Sequence, residues 1–125
     1  SAFGFVTPSS HCVDMSRNME ISTALTALGA LSQETRLKAF KLLVEYGHSG
    51  AAAGDLAAAL NVPHNTLSFH LAHLERAGLV RSNKLGRSVI YSVQRETMNG
   101  LVLFLNENCC SRENIECLNL AEAKC

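Results

Sequence analysis

At Gly78 the chain changes period. Before it, "PHNTLSFHLAHLERAG" (63–78) places Leu67, Leu71 and Leu74 four and three residues apart, the spacing that lines one face of an α-helix. After it, "LVRSN" and "SVIYSV" read as two strands, joined around "KLGR" with Gly86 at the turn. A helix stopped by glycine and followed at once by a hairpin leaves few arrangements. The three leucines and the hairpin must share one core, and the polar side of the helix must face outward.

Upstream, "NMEISTALTALGAL" sets Ile21, Leu25 and Leu28 at helical spacing. Ser32 has the chemistry of an N-cap for "QETRLKAFKLLVEYG", whose apolar positions are Leu37, Phe40, Leu43 and Val44 and whose end is Gly47. "GHSGAA" reads as a loop. "AGDLAAALNV" reads as a short helix with Leu56 and Leu60 inward. Asn61 to Pro63 form a turn, with Pro63 suited to the first position of the next helix. After the hairpin, "RETMNGLVLFLNEN" returns to helix. The expected fold class is therefore mostly α with a β-hairpin wing: a winged helix-turn-helix.

A length of 125 residues suits one domain. The expected divisions are 1–18 as an irregular extension or expression remnant, 19–110 as the folded domain, and 111–125 as a cysteine-bearing tail. Met15 and Met19 both offer a native start, since the chain opens on "SAFGFVTPSS" without methionine. No apolar run approaches the ~20 residues of a membrane span, and no secretory signal is visible. The five cysteines, at 12, 109, 110, 117 and 125, are odd in number and crowded at one end. That pattern fits a reducing cytoplasm better than a secreted disulfide framework.

Formal charge is zero, yet it is unevenly spread. Residues 61–95 hold Arg76, Arg81, Lys84, Arg87 and Arg95 against a single acid, Glu75. A basic middle between acidic flanks can hide a nucleic-acid face in a neutral chain. On the helix after the turn, His64, Asn65, Thr66, Ser68, Phe69 and His70 are the candidates for contact with double-stranded DNA. Asn and Ser can bond base edges or phosphates, and Phe69 can touch a thymine methyl. Arg81, Lys84 and Arg87 lie on or beside the hairpin, where a wing meets phosphates. Two blander readings stand beside this one: a winged helix used for protein contacts, and His70 and His73 serving only as satisfied polar groups.

"LVLFLNENCCSRENIEC" poses the other question, because Cys109, Cys110 and Cys117 gather at the end of an apolar helix. A soft ion prefers thiolates. A soft ion of three-coordinate geometry needs three of them, whereas structural zinc wants a fourth ligand. On one continuous helix residues 110 and 117 would lie about 10 Å apart along the axis. The helix must therefore end near Asn108–Cys110, with "SRENIE" folding Cys117 back, or Cys117 must come from another subunit. Arg112 is placed to favour thiolates. Buried structural cysteines, a redox or persulfide switch and a small thiol enzyme are the alternatives. No Cys-x-x-Cys or Cys-x5-Arg motif supports the enzyme.

"LSQETRLKAFKLLVEYG" and "VPHNTLSFHLAHLERAGLVRSNKLGRSVIYSV" closely resemble the arsenic-repressor (ArsR/SmtB) family of metal-responsive transcriptional repressors, over roughly residues 20–117. The resemblance implies a homodimer that binds operator DNA when ion-free and lets go when its inducer binds. It implies a dimer interface from the first and last helices: Ile21, Leu25, Leu28, Leu101, Val102, Phe104 and Leu105. One common sensor site of the family is absent, since Ala52 and Gly54 stand where its cysteines would be. A second, built on the last helix, needs histidines, and none follows His73. The "CC…C" ending resembles arsenite-responsive members. It implies As(III) as inducer at Cys109, Cys110 and Cys117, with Sb(III) a second candidate, no organic cofactor and no membrane partner.

Overall fold

The computed structural model describes residues 19–113. Cys12, Cys117, Cys125 and the expected 1–18 extension lie outside the described residues. Along the described chain run α1 (Ile21–Leu31), α2 (Glu34–Tyr46), a 3-10 turn (Gly47–Ser49), β1 (Ala51–Ala52), α3 (Ala53–Leu60), α4 (His64–Arg76), β2 (Val80–Leu85), β3 (Ser88–Val93) and α5 (Arg95–Leu105). No helix among the described residues is long and apolar enough to cross a membrane. The chain divides into two compact units. One is residues 25–95; the other, within the described residues, comprises 19–24 and 96–113.

The core of the larger unit is the one the leucine spacing requires. Leu67, Leu71 and Leu74 of α4 are fully buried, together with Leu43, Leu56, Leu79 and Val80. Helix α4 packs on α2, α3 and β2. Each such leucine contributes roughly 1.5–3 kcal/mol by leaving water. Two expected core positions differ. Leu37 and Val44 are both 43% exposed, and Ala39, Phe40 and Leu43 form the inner face of α2. The buried stripe, packed by α4, β3 and α3, is narrower than its apolar residues suggest. On α1 the inward residues are the small ones, Ala24, Ala27 and Ala30, while Ile21, Leu25 and Leu28 face out.

Helix ends follow local chemistry, with shifts of a residue or so. Gln33 caps α2, its side chain accepting from the Arg36 amide at 2.9 Å. Ser32, the expected cap, instead donates its hydroxyl to the Gly29 carbonyl at 2.9 Å, closing α1. Only one of two adjacent polar residues can reach the third amide of α2, and Gln33 has the extended backbone a cap needs. Asn61 ends α3 in the left-handed region (φ 58°, ψ 48°), which asparagine tolerates. Pro63 then caps α4 rather than opening it.

The hairpin forms as expected. Leu85 pairs with Ser88, so Gly86 and Arg87 make a two-residue turn, with Gly86 at φ 64°. The segment read as a loop contains a strand. Ala51 pairs with Tyr91 and Ala52 with Ile90, giving a three-stranded antiparallel sheet in the order β1-β3-β2. Two alanines carry no alternating pattern; the free edge of β3 decides their conformation.

Candidate nucleic-acid interface and thiol cluster

Helices α3 and α4 are joined by the three residues Asn61 to Pro63, and α4 leads through Gly78 into β2 and β3. Burying Leu67, Leu71 and Leu74 turns the opposite side of α4 outward. His64, Asn65, Thr66 and Phe69 are exposed; Ser68 and His70 are half-buried. Phe69 is 65% exposed. Pro63 supplies no side-chain cap to the first amides of α4. Such amides carry the partial positive charge that favours phosphate.

The wing presents its charges to solvent. Arg81, Lys84 and Arg87 are exposed. Arg81 Nη1 donates to Gln94 Oε1 at 3.4 Å, a weak tether to the end of the sheet. Ser82 Oγ donates to Glu75 Oε2 at 2.8 Å, fastening β2 to the last turn of α4. Between the first turns of α3 and α4 and the wing lies a cleft of about 280 Å³, lined by His64, Ser68, Arg87, Ser88 and Tyr91 among others. Tyr91 was not among the expected residues. Its phenol is pushed up by burial and by the nearby Glu75 carboxylate, so it stays a neutral donor. The alternation of "SVIYSV" puts Val89 and Tyr91 on one strand face, and that was the available signal.

His70 sits differently from its neighbours. Its Nδ1 lies 3.2 Å from Arg36 Nη1. Burial lowers its pKa, and Arg36 and then His73 lower it further. His73 is lowered in the same way, by desolvation first and then by Arg36 and Arg76.

The thiols belong to the other unit. Helix α5 ends at Leu105, a little before the expected Asn108–Cys110, and a series of turns follows. Asn108 (φ 62°) and Cys110 (φ 61°) are both left-handed. Adjacent helical side chains would diverge by about 100°. Off the helix the two sulfurs converge, Cys109 Sγ lying 3.6 Å from Cys110 Sγ. Cys109 is free and exposed, whereas Cys110 is disulfide-bonded. Among the described residues no three His, Cys, Asp or Glu side chains form a metal-holding group. Two of the three expected sulfurs are thus together, and Cys117 lies outside the described residues.

Of the expected dimer residues, Ile21, Leu25, Leu28, Val102 and Leu105 are exposed, Phe104 is half-buried, and Leu101 is already buried within its own chain.

A helix-turn-helix with a β-hairpin wing and an outward polar recognition face defines a DNA-binding regulator. Residues 31–83 match the family model described as a helix-turn-helix domain. The chain is 30% identical to the structure of HlyU from Vibrio cholerae N16961, covering 70% of this chain and 97% of that one, with a TM-score of 0.56. It is 28% identical to an ArsR-like transcriptional regulator from Rhodococcus sp. RHA1, covering 74% of this chain and 84% of that one, with a TM-score of 0.64. A third structure, a possible transcriptional regulator for arsenical resistance, is 26% identical over 64% of this chain and 80% of its own, with a TM-score of 0.57. The chain belongs to the ArsR family of winged-helix transcriptional regulators. That membership places it among DNA-binding regulators rather than enzymes.

Proposed function

We propose that this protein is a cytoplasmic, metalloid-responsive repressor whose ion-free homodimer holds operator DNA and releases it when As(III) binds Cys109, Cys110 and Cys117. The observation that carries this reading is the convergence of the Cys109 and Cys110 sulfurs to 3.6 Å just beyond the last helix. As(III) takes thiolates, so the competent state is the reduced one, with Cys110 released from its disulfide. Similarity to a possible regulator for arsenical resistance supports the assignment, and Sb(III) is the nearest chemical substitute. Residues 19–110 would serve DNA binding and dimerisation, and 111–125 the sensor. The test is release of a fluorescent duplex, selected by the wild-type protein from a random pool, during titration with As(III) under reducing conditions. Release by an oxidant or persulfide donor, with none by As(III), would favour a redox sensor instead. The free Cys109 thiol beside the disulfide-bonded Cys110 is the observation behind that second reading.

Dimerisation is the requirement for reading two half-sites one DNA turn apart. The outward apolar faces of α1 and α5 supply its surface. Sedimentation at micromolar concentration is expected to give a dimer, and Leu25→Glu, at a position 62% exposed, is expected to give a folded monomer. A wild-type monomer under those conditions would count against operator binding as a two-fold unit.

Within the DNA interface the side chains divide by role. Asn65 and Ser68 read bases; Lys84 and Arg87 hold phosphates. Lys84→Ala or Arg87→Ala is expected to weaken all duplexes alike and to lower the salt slope by about one per lost contact in each subunit. Replacing Asn65 or Ser68 is expected to change preference at one base pair by about 1–3 kcal/mol. Full affinity and an unchanged slope in the wing variants would mean the wing stays off the DNA.

A further inference from the structure

Arg36 makes a connection that neither core packing nor the DNA-facing surface accounts for. It sits in the first turn of α2, half-buried, with its amide fixed by the Gln33 cap. Its Nε donates to the Ala30 carbonyl at the end of α1, at 2.6 Å. Its Nη1 donates to His70 Nδ1 on α4, at 3.2 Å. One planar guanidinium thus joins three helices, with donors facing in two fixed directions.

We infer that Arg36 is a positioning residue for DNA binding: it ties the recognition helix to the end of α1 and fixes His70 as the neutral Nε2–H tautomer. Arginine has only donors, so the contact requires a lone pair on Nδ1. The remaining imidazole proton is then on Nε2, which makes that nitrogen a donor. Phe69 stands edge-on to the same ring, with centroids 5.8 Å apart, and restricts its rotation. The groups whose charge bears on the ring are Arg36 from α2 and His73 from its own helix. Both disfavour the imidazolium, in agreement with a ring that must accept. The bridge is therefore present above the ordinary histidine range and is lost as the pH falls through the lowered value. This inference rests on the DNA-binding reading, since it concerns how the recognition helix is held.

The experiment is a double-mutant cycle on the same selected duplex, combined with nitrogen-15 spectroscopy of the histidine rings in the free protein. Arg36→Ala and His70→Leu are each expected to weaken binding about tenfold, with the double variant no worse than either. Arg36→Lys keeps the charge but not the two-directional geometry and is expected to lose as much. His70→Gln, whose amide oxygen can accept from Arg36, is expected to bind better than His70→Leu. In the free protein, His70 should show the Nε2–H tautomer, and its titration midpoint should rise in Arg36→Ala. Thermal unfolding of each variant separates these effects from loss of fold. Additive losses, an unmoved tautomer and midpoint, or full DNA affinity in Arg36→Lys would overturn the inference. A wild-type protein that selects no duplex would overturn the DNA reading itself, and this inference with it.

Discussion

Serine at Cys109 is expected to leave operator affinity nearly unchanged and to raise the As(III) concentration needed for release at least about a hundredfold, ~2.7 kcal/mol of lost coupling. Serine matches cysteine in shape but is a hard, weak ligand for a soft ion. Cys109 is exposed and follows α5, beyond the helix-turn-helix and the wing in sequence. DNA binding therefore has no reason to suffer. Cys110→Ser and Cys117→Ser should behave alike, and double variants should be hardly worse, because three sulfurs complete one coordination shell and act as a unit. Cys12→Ser and Cys125→Ser should change little. The assay is release of the labelled duplex during arsenite titration with a reductant present throughout. If Cys117→Ser responded at the wild-type concentration, a three-thiolate site would be excluded and a two-cysteine switch would be the better account.

Gly50→Ala is expected to destabilise the fold by about 3 kcal/mol or more. Gly50 has φ 69° and ψ −165°, a region essentially closed to side-chain-bearing residues. A Cβ there would also run into the Tyr91 carbonyl, and backbone of a paired strand cannot step aside. The neighbouring Gly47 provides the control. It too has positive φ, 74°, but a Cβ would meet nothing within 4 Å. Gly47→Ala should therefore cost only the backbone part, about 1–3 kcal/mol. Denaturant unfolding of the two variants measures the difference. Equal losses would show that close approach of β3 adds nothing, and that β1 yields without cost.

The glycine pair shows where sequence reading stops. "GHSGAA" signals a break in the helical pattern, and the chain does break there. Which glycine is pressed against a strand depends on β1 pairing with β3, some forty residues on. Arg36 is a similar case. In sequence it is one more polar residue in the first turn of a helix. Its bond to His70, thirty-four residues away, exists only because α2 and α4 pack together. His70 was legible as a DNA-contact candidate or a satisfied polar group, but not as the acceptor for an arginine on α2. Tyr91 likewise becomes part of the cleft beside His64 and Ser68 only when β3 folds near the first turns of α3 and α4.

The sequence by itself determined the order of the five helices and the hairpin, the turn between α3 and α4, the Gly86 turn and the leucine face of α4. Each depends on spacing along a short stretch, where a period of 3.6 or 2 and a glycine or asparagine suffice. It also placed two cysteines side by side. Only the tertiary structure decided which way an apolar helix faces. Ile21, Leu25 and Leu28 turn outward and Ala24, Ala27 and Ala30 inward, and periodicity is blind to that choice when both faces are apolar. It alone made a strand of Ala51 and Ala52, gave Arg36 its partners and brought the Cys109 and Cys110 sulfurs together through two left-handed residues. These features are set by contacts between segments distant in sequence or by backbone angles off any regular element, and neither leaves a repeating mark in the chain.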